Sequence, residues 1–160
     1  MKRNVILSGG MASVLLLGTL VSHAEKWDKN DYAGNGIESG FYDADSVKVK
    51  NKTVSWTEKY MFTSSSIDGV TKELSKFKAC KQGITQKGSI TQFQVDYEIE
   101  NNKKYRGVAK RYYNKNNEMM CTGKDLGAND FNTSWHDLVR HSDMEKAYYD
   151  LVTNYKIVLK

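Results

Sequence analysis

Proline is missing from the entire chain, cysteine occurs twice and histidine three times. Without proline there is no proline-rich linker or polyproline segment, and no internal repeat or low-complexity tract stands in for one. Two cysteines cannot complete a four-ligand zinc site alone, and no histidine stands at finger spacing from them. The chain has no G-x-S-x-G elbow, no H-E-x-x-H pair and no glycine-rich phosphate loop. The commonest signatures of serine hydrolases, zinc peptidases and nucleotide sites are therefore absent, and no catalytic residue or cofactor is assigned. Charge of one sign is not concentrated either. The formal net charge is +5, and only "NKKYRGVAKR" is somewhat dense in basic residues. A balance this mild does not require nucleic acid, and a solvated strand face accounts for the denser run.

The one long apolar run lies at the N-terminus. Lys2 and Arg3 precede "VILSGGMASVLLLGTLV", and "SHA" follows, with small residues at Ser22 and Ala24. A basic start, a short apolar stretch and a small-residue exit describe a secretory signal over residues 1–24, cut after Ala24. The run is short for a membrane span and holds three glycines. No cysteine near the exit offers a lipid anchor, so no membrane anchor is expected after cleavage. Cleavage leaves 136 of the 160 residues, and removing Lys2 and Arg3 takes the charge from +5 to +3. That length suits one domain with its own core. Export to the periplasm, the cell surface or the medium brings oxidising conditions, under which Cys80 and Cys121 are expected to pair. The alternative is two separate buried thiols.

Residues 25–39 are polar and glycine-bearing and read as a flexible lead-in to a domain over 40–160. In "FYDADSVKVK", Val47 and Val49 alternate with lysines, and Asn51-Lys52 suits a tight turn. In "TVSWTEKYMF", Val54, Trp56, Tyr60 and Phe62 share one face, with Glu58 as the exception. "TSSSIDG" breaks the pattern. "VTKELSKFKACKQG" then spaces Val70, Leu74 and Phe77 as a short helix that Gly83 could end, placing Cys80 on its last turn. "TQFQVDYEIE" is the clearest strand: Phe93, Val95, Tyr97 and Ile99 alternate with Gln94, Asp96, Glu98 and Glu100. "ENNKK" turns the chain, "YRGVAKRYY" returns, and after "NKNN" a short strand carries Cys121. This describes an antiparallel meander with one wet face.

The C-terminal segment reads as a helix over 143–156. Ser142 and Glu145 form a capping-box signature. Met144, Tyr148, Leu151, Val152 and Tyr155, with Ala147, make one apolar stripe that packs on the sheet. Trp135, Leu138 and Val139 form a smaller apolar turn before it, and Trp135 joins the packing set. The fold class is therefore α+β, an antiparallel sheet with a C-terminal helix on one face.

The candidate binding face is the exposed side of the meander. It sets Lys103, Lys104, Arg106, Lys110 and Arg111 beside Asp96, Glu98 and Glu100. The acids also resemble paired catalytic carboxylates, but alternation on a solvated face explains them more simply. His136 and His141 stand five apart, which does not place them on one helix face, so no metal is assigned. They remain the only handle for an alternative reading as a small periplasmic metal binder or enzyme. "NKT" at 51–53 and "NTS" at 132–134 match a glycosylation pattern that matters only in a eukaryotic host.

From Gly40 onward the sequence resembles the surface-adhesin protein E family of small exported bacterial proteins. "FYDADSVKVKNKTVSW" is similar to the tyrosine-aspartate stretch that opens the family. "YEIENNKKYRGVAKRYYNKNNEMM" resembles its acidic strand, basic turn and tyrosine-rich hairpin. "SWHDLVRHSDMEKAYYDLV" matches its final helix through Trp135, Ser142, Glu145, Tyr148 and Val152. Two departures stand out. Family members carry cysteines at places that correspond to Asn101 and Thr153, and a proline where Arg140-His141 precede the capping serine. The resemblance implies a twisted antiparallel sheet with a C-terminal helix. It also implies binding to host matrix or serum proteins. With export and no catalytic constellation, the expected function is a non-enzymatic binding protein, and the alternative is a periplasmic protein of unknown role with an envelope partner. Oligomeric state is left open.

Overall fold

The computed structural model describes residues 26–30, 32–127 and 131–154. The expected signal and Tyr155 lie outside the described residues. Strands β1 (Trp27–Asn30), β2 (Ile37–Asp43), β3 (Lys48–Lys50) and β4 (Thr53–Phe62) come first. Helices α1 (Ser64–Leu74) and α2 (Lys78–Lys87) follow, then β5 (Gln92–Glu100), β6 (Lys104–Tyr113), β7 (Met119–Thr122), β8 (His136–Asp137) and α3 (Asp143–Asn154). All eight strands join one antiparallel sheet in the order β1-β2-β4-β5-β6-β7, so the fold is α+β. β3 runs beside the start of β4, and β7 and β8 share the outer edge of β6.

The turns follow from the asparagines. Asn51, Asn101, Asn102 and Asn117 all have positive φ, between 52° and 60°. Asparagine is among the few non-glycine residues that enter this left-handed region at little cost. Each lies at or beside a reversal expected from sequence, and the hairpins β3–β4, β5–β6 and β6–β7 close there.

One face of the sheet carries both cores. At one end, Val54 on β4 and Ile99 on β5 are paired and fully buried, and Trp56, Tyr42, Tyr148 and Leu151 complete a cluster under α3. At the other end, Leu74, Cys80, Ile90, Tyr112, Met120, Cys121 and Leu126 form a second cluster beneath α1 and α2. Ser142 and Glu145 both cap α3, with the return bond of the expected capping box reaching His141 and not Ser142. The Glu145 backbone N–H donates to Ser142 Oγ at 3.2 Å, and the Glu145 carboxylate accepts from the His141 N–H at 2.6 Å. The Tyr148 hydroxyl also bonds Asn102 Oδ1, tying the helix to the β5–β6 turn.

Cys80 and Cys121 are bridged, with Cα atoms 5.0 Å apart across a sequence separation of 41. The bridge fastens α2 to β7. Gly83, expected to end a helix, instead sits inside α2, where a Cβ would lie 2.6 Å from the Met120 carbonyl oxygen. It is the residue that lets helix and strand meet so closely.

Three further expectations are corrected. Residues 25–39 are not a loose lead-in: Trp27–Asn30 pairs with Gly40–Asp43 as an edge strand, and β2 begins at Ile37. The expected single helix is two, with α1 starting at Ser64 and the backbone extended at Phe77 before α2. The serine run that looked like a break supplies the first turn of α1, where short polar side chains are well tolerated. The small apolar turn expected before α3 contains a short strand: His136–Asp137 pairs with Lys104–Tyr105, Leu138 packs partly, and Val139 is 65% exposed.

Leu151 has no solvent exposure. Leu151→Ala is expected to lower unfolding free energy by roughly 2–5 kcal/mol, and an unchanged denaturation midpoint would contradict the packing of α3. Replacing both cysteines by serine is expected to cost about 2–4 kcal/mol, because the bridge restricts the unfolded chain, as checked by denaturant titration of variant and parent.

Candidate functional sites on the two sheet faces

On the wet face, the pairing of β5 with β6 sets opposite charges side by side. Glu98 faces Arg106 in register, and Arg106 Nε and Nη2 approach Glu98 Oε2 at 2.8 and 2.7 Å. Arg111 reaches diagonally to Asp96 in a two-pronged contact of 2.8 and 2.5 Å. Hydrogen bonding to Asp96 holds the Arg111 guanidinium above its ordinary pKa. Thr57 Oγ1 donates to the same carboxylate at 2.8 Å. Each pair is part-exposed, so its contribution to stability is small, roughly 0–1 kcal/mol. Its effect is to hold long side chains in one arrangement. Trp135 lies over the Arg106 guanidinium at 4.5 Å, so it joins this face and not the helix-packing set. Lys104 and Asp137 lie 3.5 Å apart at the solvated margin, and Lys103 and Glu100 are exposed.

Lys110 does not belong to this face. Tyr97 pairs with Gly107 and Asp96 with Ala109, leaving Val108 as an extra residue in β6. Such a bulge shifts the alternation of everything beyond it. Lys110 consequently faces the core side opposite Val95, with its Nζ 4.5 Å from the Phe93 ring centre and 5.1 Å from that of Tyr112. A signal for this was present. Tyr105 and Tyr112 fall on opposite faces under strict alternation, yet both pack on the core side, and a glycine inside a strand often marks a bulge.

On that core side, the register lines up three adjacent rows. Trp56, Tyr97 and Gly107 form one row, Glu58, Val95 and Lys110 the next, and Tyr60, Phe93 and Tyr112 the third. The rows run from one core cluster to the other, and Glu58, Tyr60, Phe93, Val95, Tyr97 and Lys110 of them line a cavity of about 670 Å3. β1 and the segment after it wall one side. The Asn30 side chain fills the space above Gly40, where a Cβ would lie 2.2 Å from its Oδ1. The Tyr32 ring meets Tyr60 edge-on at 5.4 Å. The first turns of α3 line the cavity with Asp143, Met144 and Ala147.

Glu58, the polar exception in its strand, is 2% exposed. Its Oε1 accepts from the Trp56 indole N–H at 2.7 Å, and its Oε2 accepts from the Tyr60 hydroxyl. Burial raises its pKa, and the two hydrogen bonds pull the other way without cancelling the effect. Burial likewise raises the Tyr60 and Tyr97 phenols, with the Glu58 charge adding to each, and it lowers the Lys110 ammonium. With both oxygens engaged, Glu58 is placed to organise the floor.

The two histidines are not brought to one site, although His141 lies beside Glu145, whose carboxylate accepts from its backbone N–H, in a second hollow lined by Arg140, Lys146 and Tyr149. His136 lies exposed on β8, its ring 5.6 Å from that of Tyr105, whereas His141 precedes α3 with φ 63°. Among the described residues no three His, Cys, Asp or Glu side chains converge as a metal site, and no helix is long and apolar enough to cross a membrane. No family model, curated protein or solved structure matches this chain.

The folded chain holds the Glu58 proton more tightly than an ordinary carboxyl with a pKa of 4.5. The resulting stabilisation is complete below that value and is lost as pH rises through the higher folded one. Wild type is therefore expected to lose stability relative to Glu58→Gln as pH rises from about 4.5 toward neutrality. Urea denaturation of both proteins across that range checks it, and a constant difference would refute the raised pKa.

Proposed function

We propose that this chain is an exported, non-enzymatic binding protein that docks a protein partner on the wet face of β4–β6. The observation that carries the reading is the ion-pair ladder of Arg106–Glu98 and Arg111–Asp96, with Trp135 stacked on Arg106. A ladder already ordered in the free protein loses little side-chain freedom on binding. Tryptophan and arginine are also the residues that most often dominate protein interfaces. Mixed charge of this kind steers a partner and sets register. The N-terminal leader pattern supports export, and the Cys80–Cys121 bridge is compatible with it. The resemblance to surface-adhesin protein E proteins supports a host matrix or serum protein as the partner, with the periplasm or cell surface as the site of action.

Protease added to whole cells is expected to digest the protein, and protection would exclude the surface-adhesin reading. The exposed pair Lys103→Glu and Lys104→Glu, made together, is expected to weaken binding to immobilised fibronectin or collagen by roughly tenfold at low salt and less at high salt. Surface plasmon resonance measures both, and binding indifferent to reversal and to salt would remove this face.

A further inference from the structure

Lys110 poses a problem that the charged face does not solve. Its ammonium is drawn to the core side of the sheet, where the described residues give it two aromatic rings and no hydrogen-bond or ion-pair partner. Cation–π contact offsets only part of the cost of removing an ammonium from water. The neighbouring arginines of the same strand each have a carboxylate. Lys110 is thus the cation of β6 that faces a cavity and lacks an anion.

The cavity around it has the size of a small-molecule site, which typically spans about 300–1,000 Å3. The flat rings of Tyr60, Phe93, Tyr97 and Tyr105 line it around Val95, together with polar side chains such as Asn30, Asn35 and Ser142. On the sheet floor the charged groups lie at opposite ends of one row: Glu58 on β4 and Lys110 on β6, with Val95 between them. Two strand spacings separate their backbones by roughly 10 Å. Asp143 and Asp150 of α3 line the cavity as well, with Lys146 between them in sequence. These acids disfavour a ligand with several negative charges, such as a phosphate dianion. Lys146 belongs to α3, and on the sheet floor the lining cation is Lys110, which suits one negative charge.

We propose that this cavity binds a small organic monoanion, whose carboxylate pairs with Lys110 and whose aromatic or flat apolar body lies against Phe93, Tyr60 and Tyr105. The site lies on the opposite side of the sheet from the protein-docking face and does not depend on that reading. Aromatic walls favour an aromatic body through offset or edge-on contacts. The far end of the row is closed by the Glu58 carboxyl, whose oxygens are held by Trp56 and Tyr60.

The test uses 3-phenylpropionate and its neutral amide, 3-phenylpropionamide, titrated separately into the full exported protein and followed by amide chemical shifts in NMR spectra. The acid is expected to bind at least roughly tenfold more tightly than the amide, with shifts centred on the middle of β4, β5 and β6. Lys110→Met is expected to bring the acid's affinity down to that of the amide and leave the amide unaffected. Lys110→Arg, which keeps the charge, is expected to retain the preference for the acid. Equal affinity of wild type for the two compounds would overturn the proposal. So would shifts confined to another surface, or no response to either compound at millimolar concentration. The comparison of acid with amide on the wild-type protein decides the matter even where a variant fails to fold.

Discussion

The pairing of β4 with β5 is the constraint on which the rest of this structure rests. Val54 meets Ile99, Trp56 meets Tyr97, Glu58 meets Val95 and Tyr60 meets Phe93, without slip from one end to the other. A shift of one residue would turn every apolar side chain to water and bring Asp96 and Glu98 inside. Both clusters of the core begin at the ends of this pair, and all three helices pack against residues it positions. The disulfide and the Tyr148–Asn102 bond act on the margins, fastening α2 and α3 to a sheet already set in register.

Within that frame, Glu58 gives the core side its character. A hydrocarbon at this position would have merged the two clusters into one continuous core. The carboxyl is accommodated because Trp56 and Tyr60, two residues away on either side of the same strand, project from the same face and supply donors. The centre of the sheet's inner face is consequently polar at its floor and ringed by tyrosines, and α3 borders the cavity over it. Satisfied hydrogen bonds make a buried carboxyl tolerable, but they do not recover the full cost of desolvation, and its raised proton affinity reflects that remainder.

The two faces present different chemistry to a partner. On the wet side, charges neutralise one another across β5 and β6 and remain exposed enough to be screened by salt. On the inner side, charges are few, separated by Val95 and partly withdrawn from water, so each is more sensitive to what lies beside it. A single inserted residue, Val108, distributes the basic residues of β6 between the faces. Arg106 and Arg111 remain with their acids, and Lys110 is turned to the rings.

The sequence by itself determined the elements whose physics is local. Alternation over 92–100, asparagines able to adopt positive φ at the turns, and a serine cap ahead of an apolar stripe are properties of a few neighbouring residues, and the folded chain retains all of them. The opposition of Arg106 to Glu98 was also legible, because a short turn between two alternating strands leaves little freedom of register. Only the tertiary structure decided what depends on distant contacts. Trp27–Asn30 has too little apolar character to declare itself a strand and becomes one by pairing with β2. Gly83 looked like a helix stop, and becomes a packing residue because the Cys80–Cys121 bridge draws α2 onto β7. Trp135 and His136 take their places from β8, a strand of two residues that exists because the edge of β6 is open to it. The inner cavity has no sequence signature at all. It arises where three rows of side chains from separate strands come into line, and strand register is a long-range property that local spacing does not contain.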